Sequence, residues 1–279
     1  MAKILVGTCG FYYTDWLGPV YPLGTKKEDY LSRYAERFNT VELDYTYYSM
    51  PQAANLAKML VDGGSDLTFA MKAHQTLTHK INPATWKGDA ETYREAIEPV
   101  LQARRLEAVL FQFPYSFHYT PENRRYLGDV LSCFQGVPLA VEFRVAEWYH
   151  AKVIEGMRKQ GAALVSLDMP DLAKLPPTMD VVTAPFAYVR LHGRNTGAWW
   201  GSDEVARYDY LYTDRELEAW IDRIKRIEVQ ADKILVYFNN HARGQAVQNA
   251  QTLIAILERS GMGGKDMNNG EHKPGGLPS

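Results

Sequence analysis

Short apolar runs in this chain end in polar residues spaced two apart, and the residue types are those of acid–base and anion-binding chemistry. Glu42 and Asp44 close TVELD, Lys72 and His74 close LTFAMKAH, Glu142 and Arg144 close LAVEFR, and Arg190 and His192 lie in AYVRLH. Gln112, Asp168 and the pair Asn239 and Asn240 end three further runs. Side chains of a strand alternate between its faces, so residues two apart share one. That parity groups Thr68, Ala70, Lys72 and His74; Ala140, Glu142 and Arg144; and Tyr188, Arg190 and His192. Carboxylates tuned by burial move protons, while guanidinium and ammonium groups hold phosphates and carboxylates.

The expected catalytic set is Glu42, Lys72, Glu142 and Asp168. Lys72 reads as an anion clamp ahead of an acid, a base or a Schiff-base amine. Glu42 and Glu142 read either as proton carriers or as ion-pair partners of the cations nearby. Asp168, just before Pro170, orients Lys72 or caps the turn. The expected binding set is Asp44, His74, Gln112, Arg144, Arg190, His192, Asn239, Asn240, Tyr12 and Trp16. Arg190 and His192 precede Gly193, which lets backbone approach a ligand closely. Asn239 and Asn240 donate to ligand oxygens or to the start of the last helix. Tyr12 and Trp16 belong to the aromatic stretch FYYTDWLGPVYP, which walls a pocket and stacks on a ring or else packs under a rim. Cys9 has no partner histidine that would make it a nucleophile, and Cys133 in LSCF reads as core. A divalent ion among Glu42, Glu142, Asp168 and His192 is the weaker reading, because H-x-H and H-E-x-x-H are absent and Lys72 and Arg190 compete for the space. No cofactor is expected.

These residues need elements to carry them. Eight strand-like runs recur, at 4–8, 40–44, 67–74, 108–113, 139–144, 163–168, 187–192 and 234–239. Amphipathic stretches separate them at 26–38, 52–61, 90–103, 121–134, 150–160, 214–229 and 244–258. The Pro-rich segment 169–183 has no helical period, so the crossover between the sixth and seventh strands is expected to be irregular. Alternating strands and helices imply parallel strands with right-handed crossovers, and eight units close into a single (β/α)8 barrel of the TIM type. An open doubly wound sheet would carry G-x-G-x-x-G after its first strand, whereas this chain has GTCGFYY. Functional groups of such barrels lie at the C-terminal ends of the strands, where these polar tips fall. The expected domain is 1–260, followed by a flexible tail, 261–279, rich in Gly, Pro and Asn.

Composition narrows the class further. The 279 residues are 46% hydrophobic and 23% charged, enough to bury a large core. A formal charge of -2 gives no general affinity for nucleic acid, which would need a local basic groove. Two cysteines make no disulfide framework, and neither a signal peptide nor a membrane-spanning run is seen, so a soluble, cytoplasmic protein with a small-molecule substrate is expected. Nothing in the sequence sets an oligomeric state.

The segments VGTCGFYYTDWLGPVYP, FNTVELDYTYYSMP, FAMKAHQTLTH, VLFQFP, AVEFRVAEW, YVRLHGR and VYFNNHARGQAVQNA together resemble the YecE-like family, also called domain of unknown function 72, over nearly everything before the tail. The resemblance implies a (β/α)8 barrel and no established reaction. It puts Glu42, Lys72, Glu142, Arg144, Arg190, His192, Asn239 and Asn240 at motif positions without assigning roles. The family often has Ser at the position of Cys9, Trp at that of Phe11 and Asn at that of Asp44, which weakens Cys9 as a required nucleophile. The architecture is similar to that of endonuclease IV and xylose isomerase-like enzymes, by analogy of fold alone.

Three functions compete. The first is a metal-independent enzyme for a small anionic or polyhydroxylated substrate. The second is a divalent-metal-dependent phosphodiesterase or nucleic-acid processing enzyme, and the third a non-catalytic binding protein.

Overall fold

The structure is a computed structural model, described for residues 1–200 and 204–262. Among the described residues nine parallel strand segments form two sheets. One holds β2 (Thr40–Leu43), β3 (Thr68–Lys72), β4 (Leu106–Gln112), β5 (Leu139–Glu142) and β6 (Ala162–Leu164), in that order. The other runs from β1 (Lys3–Thr8) through β9 (Lys233–Phe238) and β8 (Phe186–Leu191) to β7 (Ser166–Asp168).

Two seams join the sheets into a barrel. β6 and β7 are one strand bent at Val165: Val165 N–H still donates to the Val141 carbonyl (2.9 Å), while Ser166–Asp168 turns to pair with β8. At the other seam Cys9 bridges Glu42, and Gly10 N–H donates to the Glu42 carbonyl (2.7 Å). Gly7 makes this seam close, since a Cβ there would stand 2.2 Å from the Thr40 carbonyl oxygen. The eight runs read from the sequence thus appear as nine segments because one of them bends.

The crossovers α1 (Tyr30–Ala35), α3 (Ala53–Asp62), α4 (Trp86–Gln102), α5 (Pro121–Ser132), α6 (Ala151–Gln160), α8 (Asp214–Glu228) and α9 (Gln245–Arg259) lie where amphipathic periodicity puts them. Local chemistry sets their ends. Thr213 and Glu216 form a reciprocal capping box on α8, and Thr120 accepts from Asn123 N–H (3.2 Å) behind Pro121 at the start of α5. Gly161, at φ 64°, ends α6 in the left-handed conformation that Gly adopts without penalty. Two short helices have no periodic signal at all, α2 (Tyr45–Tyr48) and α7 (Glu204–Arg207). No helix lies between Asp168 and Phe186, the irregular crossover. There the Thr183 hydroxyl substitutes for a neighbouring strand, accepting from Leu164 N–H (2.8 Å) and donating to the Ala162 carbonyl (2.7 Å).

Strand parity divides the core. Phe69, Met71, Val109, Phe111 and Val141 face the helices, while Leu5, Ala70, Leu110, Ala140, Tyr188 and Tyr237 fill the barrel. The interior is lopsided: alanines at 70, 108, 140 and 163 on the β3–β6 side face large residues on β8 and β9. This leaves width for long side chains crossing from β8. Met262, the last described residue, is buried against the outer core, and 263–279, the rest of the expected tail, lie outside the described residues. Among the described residues no helix is long and apolar enough to cross a membrane.

Candidate functional site

The C-terminal ends of the strands surround a cavity of about 700 Å³, and its floor is built around Arg190. From β8 this side chain, 1% exposed, spans the barrel to both flanking carboxylates. Nη1 donates to Glu142 Oε2 on β5 (2.7 Å), and Nη2 donates to Glu42 Oε1 on β2 (2.6 Å). Nη2 also lies 3.4 Å from Cys9 Sγ and 3.9 Å from Asp44 Oδ1. Glu42 Oε2 accepts from the Tyr188 hydroxyl at 2.5 Å, and Glu142 Oε1 is 2.5 Å from Arg144 Nε. Three carboxylates and two guanidiniums meet at this largely buried floor, a costly arrangement unless each charge finds a partner.

The protonation states follow from that competition. Burial alone would raise the Glu142 carboxyl, but Arg144, Arg190 and His192 hold it well below the usual carboxylate range. Glu42 goes the other way: burial raises it, Arg190 opposes, and Asp44 adds to the rise. Burial pushes the Cys9 thiol up, which keeps it a thiol rather than a nucleophilic thiolate. His192 is driven down to about 3 by burial and then by Arg144, against the pull of Glu142. Its ring is therefore neutral. The Asn239 amide nitrogen faces Nδ1 at 3.0 Å, so the ring proton falls on Nε2, which points at Glu142 Oε1 (3.4 Å).

Above the floor, Lys72 Nζ stands 3.9 Å from Asp44 Oδ1 and 4.5 Å from the centre of the Tyr47 ring. The Lys72, Arg144 and Asp44 side chains are 14%, 13% and 21% exposed, so they, unlike Glu42 and Glu142, reach the cavity. Gln112, Asn239 and His79 also line it. Burial, then Lys72 and Arg144, lower His79 to about 4, leaving a neutral imidazole beside two cations. The upper wall is aromatic, with Tyr13, Tyr48, Tyr115, Trp199, Trp200 and Tyr208, and Arg207 and His241 complete the rim. Tyr13 is held by its own hydroxyl on the Cys9 carbonyl (2.8 Å) and by stacking on His241 at 4.5 Å.

Parity brings Glu42, Asp44, Lys72, Gln112, Glu142, Arg144, Arg190, His192 and Asn239 to one place. Five expected residues lie elsewhere. Asp168 does not face the barrel, because its neighbours Leu167 and Met169 do; its carboxylate points outward and accepts from Arg194, Tyr212 and Trp220. Asn240 is likewise one residue out of phase with Asn239 and donates to the Tyr210 carbonyl and to Asn249. His74 lies beyond the end of β3 and caps the turn at 75–77 through Thr76. Trp16 is fully buried under the rim, donating to the His241 carbonyl (2.7 Å), and Tyr12 packs on Tyr30 with 43% of its surface exposed. In that aromatic stretch the wall residue is Tyr13. Of the other wall residues, Tyr48, Trp199 and Trp200 belong to aromatic clusters that follow strands, YTYY after β2 and AWW after β8, which was the available signal; Tyr115 and Tyr208 lie outside them.

Among the described residues one group of three donors, Cys9, Glu42 and Asp44, could enclose a metal ion, its ligand atoms lying within 4.8 Å of one another. Arg190 Nη2 already sits against all three.

Known proteins share this fold. The family model for the protein of unknown function DUF72 matches residues 5–272. The UPF0759 protein YunF of Bacillus subtilis is 28% identical, covering 91% of this chain and 95% of its own. The crystal structure of a DUF72 family protein from Thermotoga maritima is 34% identical with a TM-score of 0.84, covering 92% of this chain and 99% of that one. A xylose isomerase-like TIM barrel fused to a 4-hydroxyphenylpyruvate dioxygenase shares the fold alone, at 13% identity and a TM-score of 0.52 over 94% of this chain and 45% of that one. With a match from the first strand into the tail, this chain belongs to the DUF72 family of parallel-stranded α/β barrels.

Proposed function

We propose that the chain is a metal-independent enzyme that takes a small substrate anion-first, with the anionic group on the cationic floor and a ring or hydroxylated carbon skeleton against the aromatic wall. One observation carries this reading: Lys72, Arg144 and Arg190 converge beneath a 700 Å³ cavity, while Arg190 Nε and Asp44 Oδ1, both buried, have no hydrogen-bond partner among the described residues. Buried polar atoms without partners are expensive, and a ligand that supplies an acceptor to one and a donor to the other removes the cost.

The residues then divide the work. Lys72 and Arg144 hold the anion and stabilise negative charge that develops on the substrate. Asp44 is the carboxylate with access to the cavity and accepts a substrate proton. Gln112 and Asn239 orient hydroxyls. Glu42 and Glu142, fully buried, act as the clamp on Arg190 instead of as proton carriers. The same clamp argues against a divalent ion, since the Arg190 guanidinium supplies the positive charge that Cys9, Glu42 and Asp44 would otherwise offer to a metal.

Isothermal titration with ribose 5-phosphate, inorganic phosphate and ribose tests the reading. Binding of the phosphate-bearing probes, lost in Lys72→Ala and Arg144→Ala at unchanged melting temperature, is expected. Equal binding by the two variants would remove the floor from the reaction.

A further inference from the structure

The carboxylate of Asp168, outside the barrel, accepts four hydrogen bonds. Arg194 grips it with two nitrogens, Nε on Oδ1 (2.8 Å) and Nη2 on Oδ2 (2.6 Å). The Tyr212 hydroxyl donates to Oδ1 (3.0 Å) and Trp220 Nε1 to Oδ2 (2.7 Å). Arg194 and Tyr212 are the two ends of one loop, the long connection from β8 to α8. Gly193 N–H donates to the same Tyr212 hydroxyl (2.8 Å), and a Cβ at Gly193, whose φ is +86°, would stand 2.7 Å from Tyr210 Cβ. The described arms of that loop carry Trp199, Trp200, Arg207 and Tyr208, four of the residues lining the cavity.

We propose that Asp168 is a positioning residue: it ties the two ends of the β8–α8 loop together and so sets the aromatic wall of the cavity, without touching a ligand itself. Two independent features support the role. Inside the neck, the Asn195 amide donates to the Ala206 carbonyl (2.9 Å), so the arms are tied again one step further out. Beneath it, the Arg194 guanidinium also pairs with Glu216 (3.1 Å), whose other oxygen accepts from Thr213 N–H (2.9 Å) in the capping box of α8. The start of α8 and the pocket wall therefore hang from one carboxylate. Four donors converge on Asp168, and an amide in its place presents N–H where two of them already point, so the neck opens.

Hydrogen exchange read by mass spectrometry tests this on the free protein, and it stays decisive even if no anion binds the cavity. Asp168→Asn is expected to speed exchange in 195–212 by about tenfold or more, with β3, β4 and β5 unchanged. Because Asp168 is buried, Arg194→Ala is the companion variant; its side chain is 37% exposed, and the expected pattern is the same. Exchange that rises evenly across the barrel, or stays at wild-type rates in 195–212 in Arg194→Ala, overturns the proposal. A second readout rests on the proposed function. Where ribose 5-phosphate binds the wild type, both variants bind it more weakly while Lys72 and Arg144 remain intact; unchanged affinity beside faster exchange would separate the loop from the site.

Discussion

Two buried ionic clusters lie on neighbouring strands of this barrel, and they differ in one respect that separates a site from a scaffold. Leu167 of β7 pairs with Arg190 of β8 and Asp168 with Leu191, so the two charged residues are adjacent in the sheet but point to opposite faces. Outside the barrel, both Asp168 oxygens are fully engaged by four donors. Inside, Arg190 Nε and Asp44 Oδ1 lack hydrogen-bond partners among the described residues. A satisfied cluster holds the fold together. An unsatisfied one beside a cavity is where a ligand gains most.

The contrast can be broken first at Arg190. Arg190→Ala leaves Glu42 and Glu142 buried without their shared cation and should cost about 3–5 kcal/mol in urea unfolding. If the loss is electrostatic, adding Glu42→Gln and Glu142→Gln recovers much of it. Asp168→Asn comes next, at about 1.5–3 kcal/mol, because hydrogen bonds to a charged acceptor weaken together. Combining it with Arg194→Ala should cost less than the sum, which a double-mutant cycle reads directly.

A pH titration sharpens the comparison on the inner side. His192 is held near 3 in the fold against an ordinary 6.5, so the unfolded chain takes up a proton that the folded one refuses. Its stabilising contribution is complete above pH 6.5 and is lost as pH falls toward 3. Wild-type stability should decline across that window by up to about 1.4 kcal/mol per pH unit more than that of His192→Asn. Equal slopes would mean that the ring is protonated in the fold. The smallest effect belongs to Tyr12→Ala, within about 0.5 kcal/mol in thermal unfolding, since the residue is 43% exposed and is not among those lining the 700 Å³ cavity.

Much of the inner cluster was legible because strand parity is a rule of backbone geometry and holds wherever the strand is regular. Glu42 with Asp44, Glu142 with Arg144, and Arg190 with His192 were each placed by counting in twos. The same count, applied strictly, would have sent Asp168 outward with Val189 and Leu191 on the neighbouring strand, since Leu167 is apolar and faces the interior. There a polar residue at a strand end mimics an inward tip although its phase is outward. Asn240 does the same, and His74 lies past the last paired residue, where alternation has ended. The aromatic wall was not legible residue by residue. Tyr13 rather than Tyr12 or Trp16 faces the cavity because its hydroxyl reaches the nearby Cys9 carbonyl and its ring stacks on His241, more than two hundred residues away in the chain.

The order of strands in the two sheets also bears on how the molecule is made. β1 emerges from the ribosome first, yet its ladder partner is β9, with Lys3 opposite Lys233, and on its other side it has only the single bridge from Cys9 to Glu42. At about 5–20 residues per second, the N-terminal strand waits roughly 10–50 s for its partner, while β2 to β6 pair in order of synthesis. For that interval the apolar strand KILVGT has no ladder partner, and an unpaired apolar edge is a template on which another chain can pair.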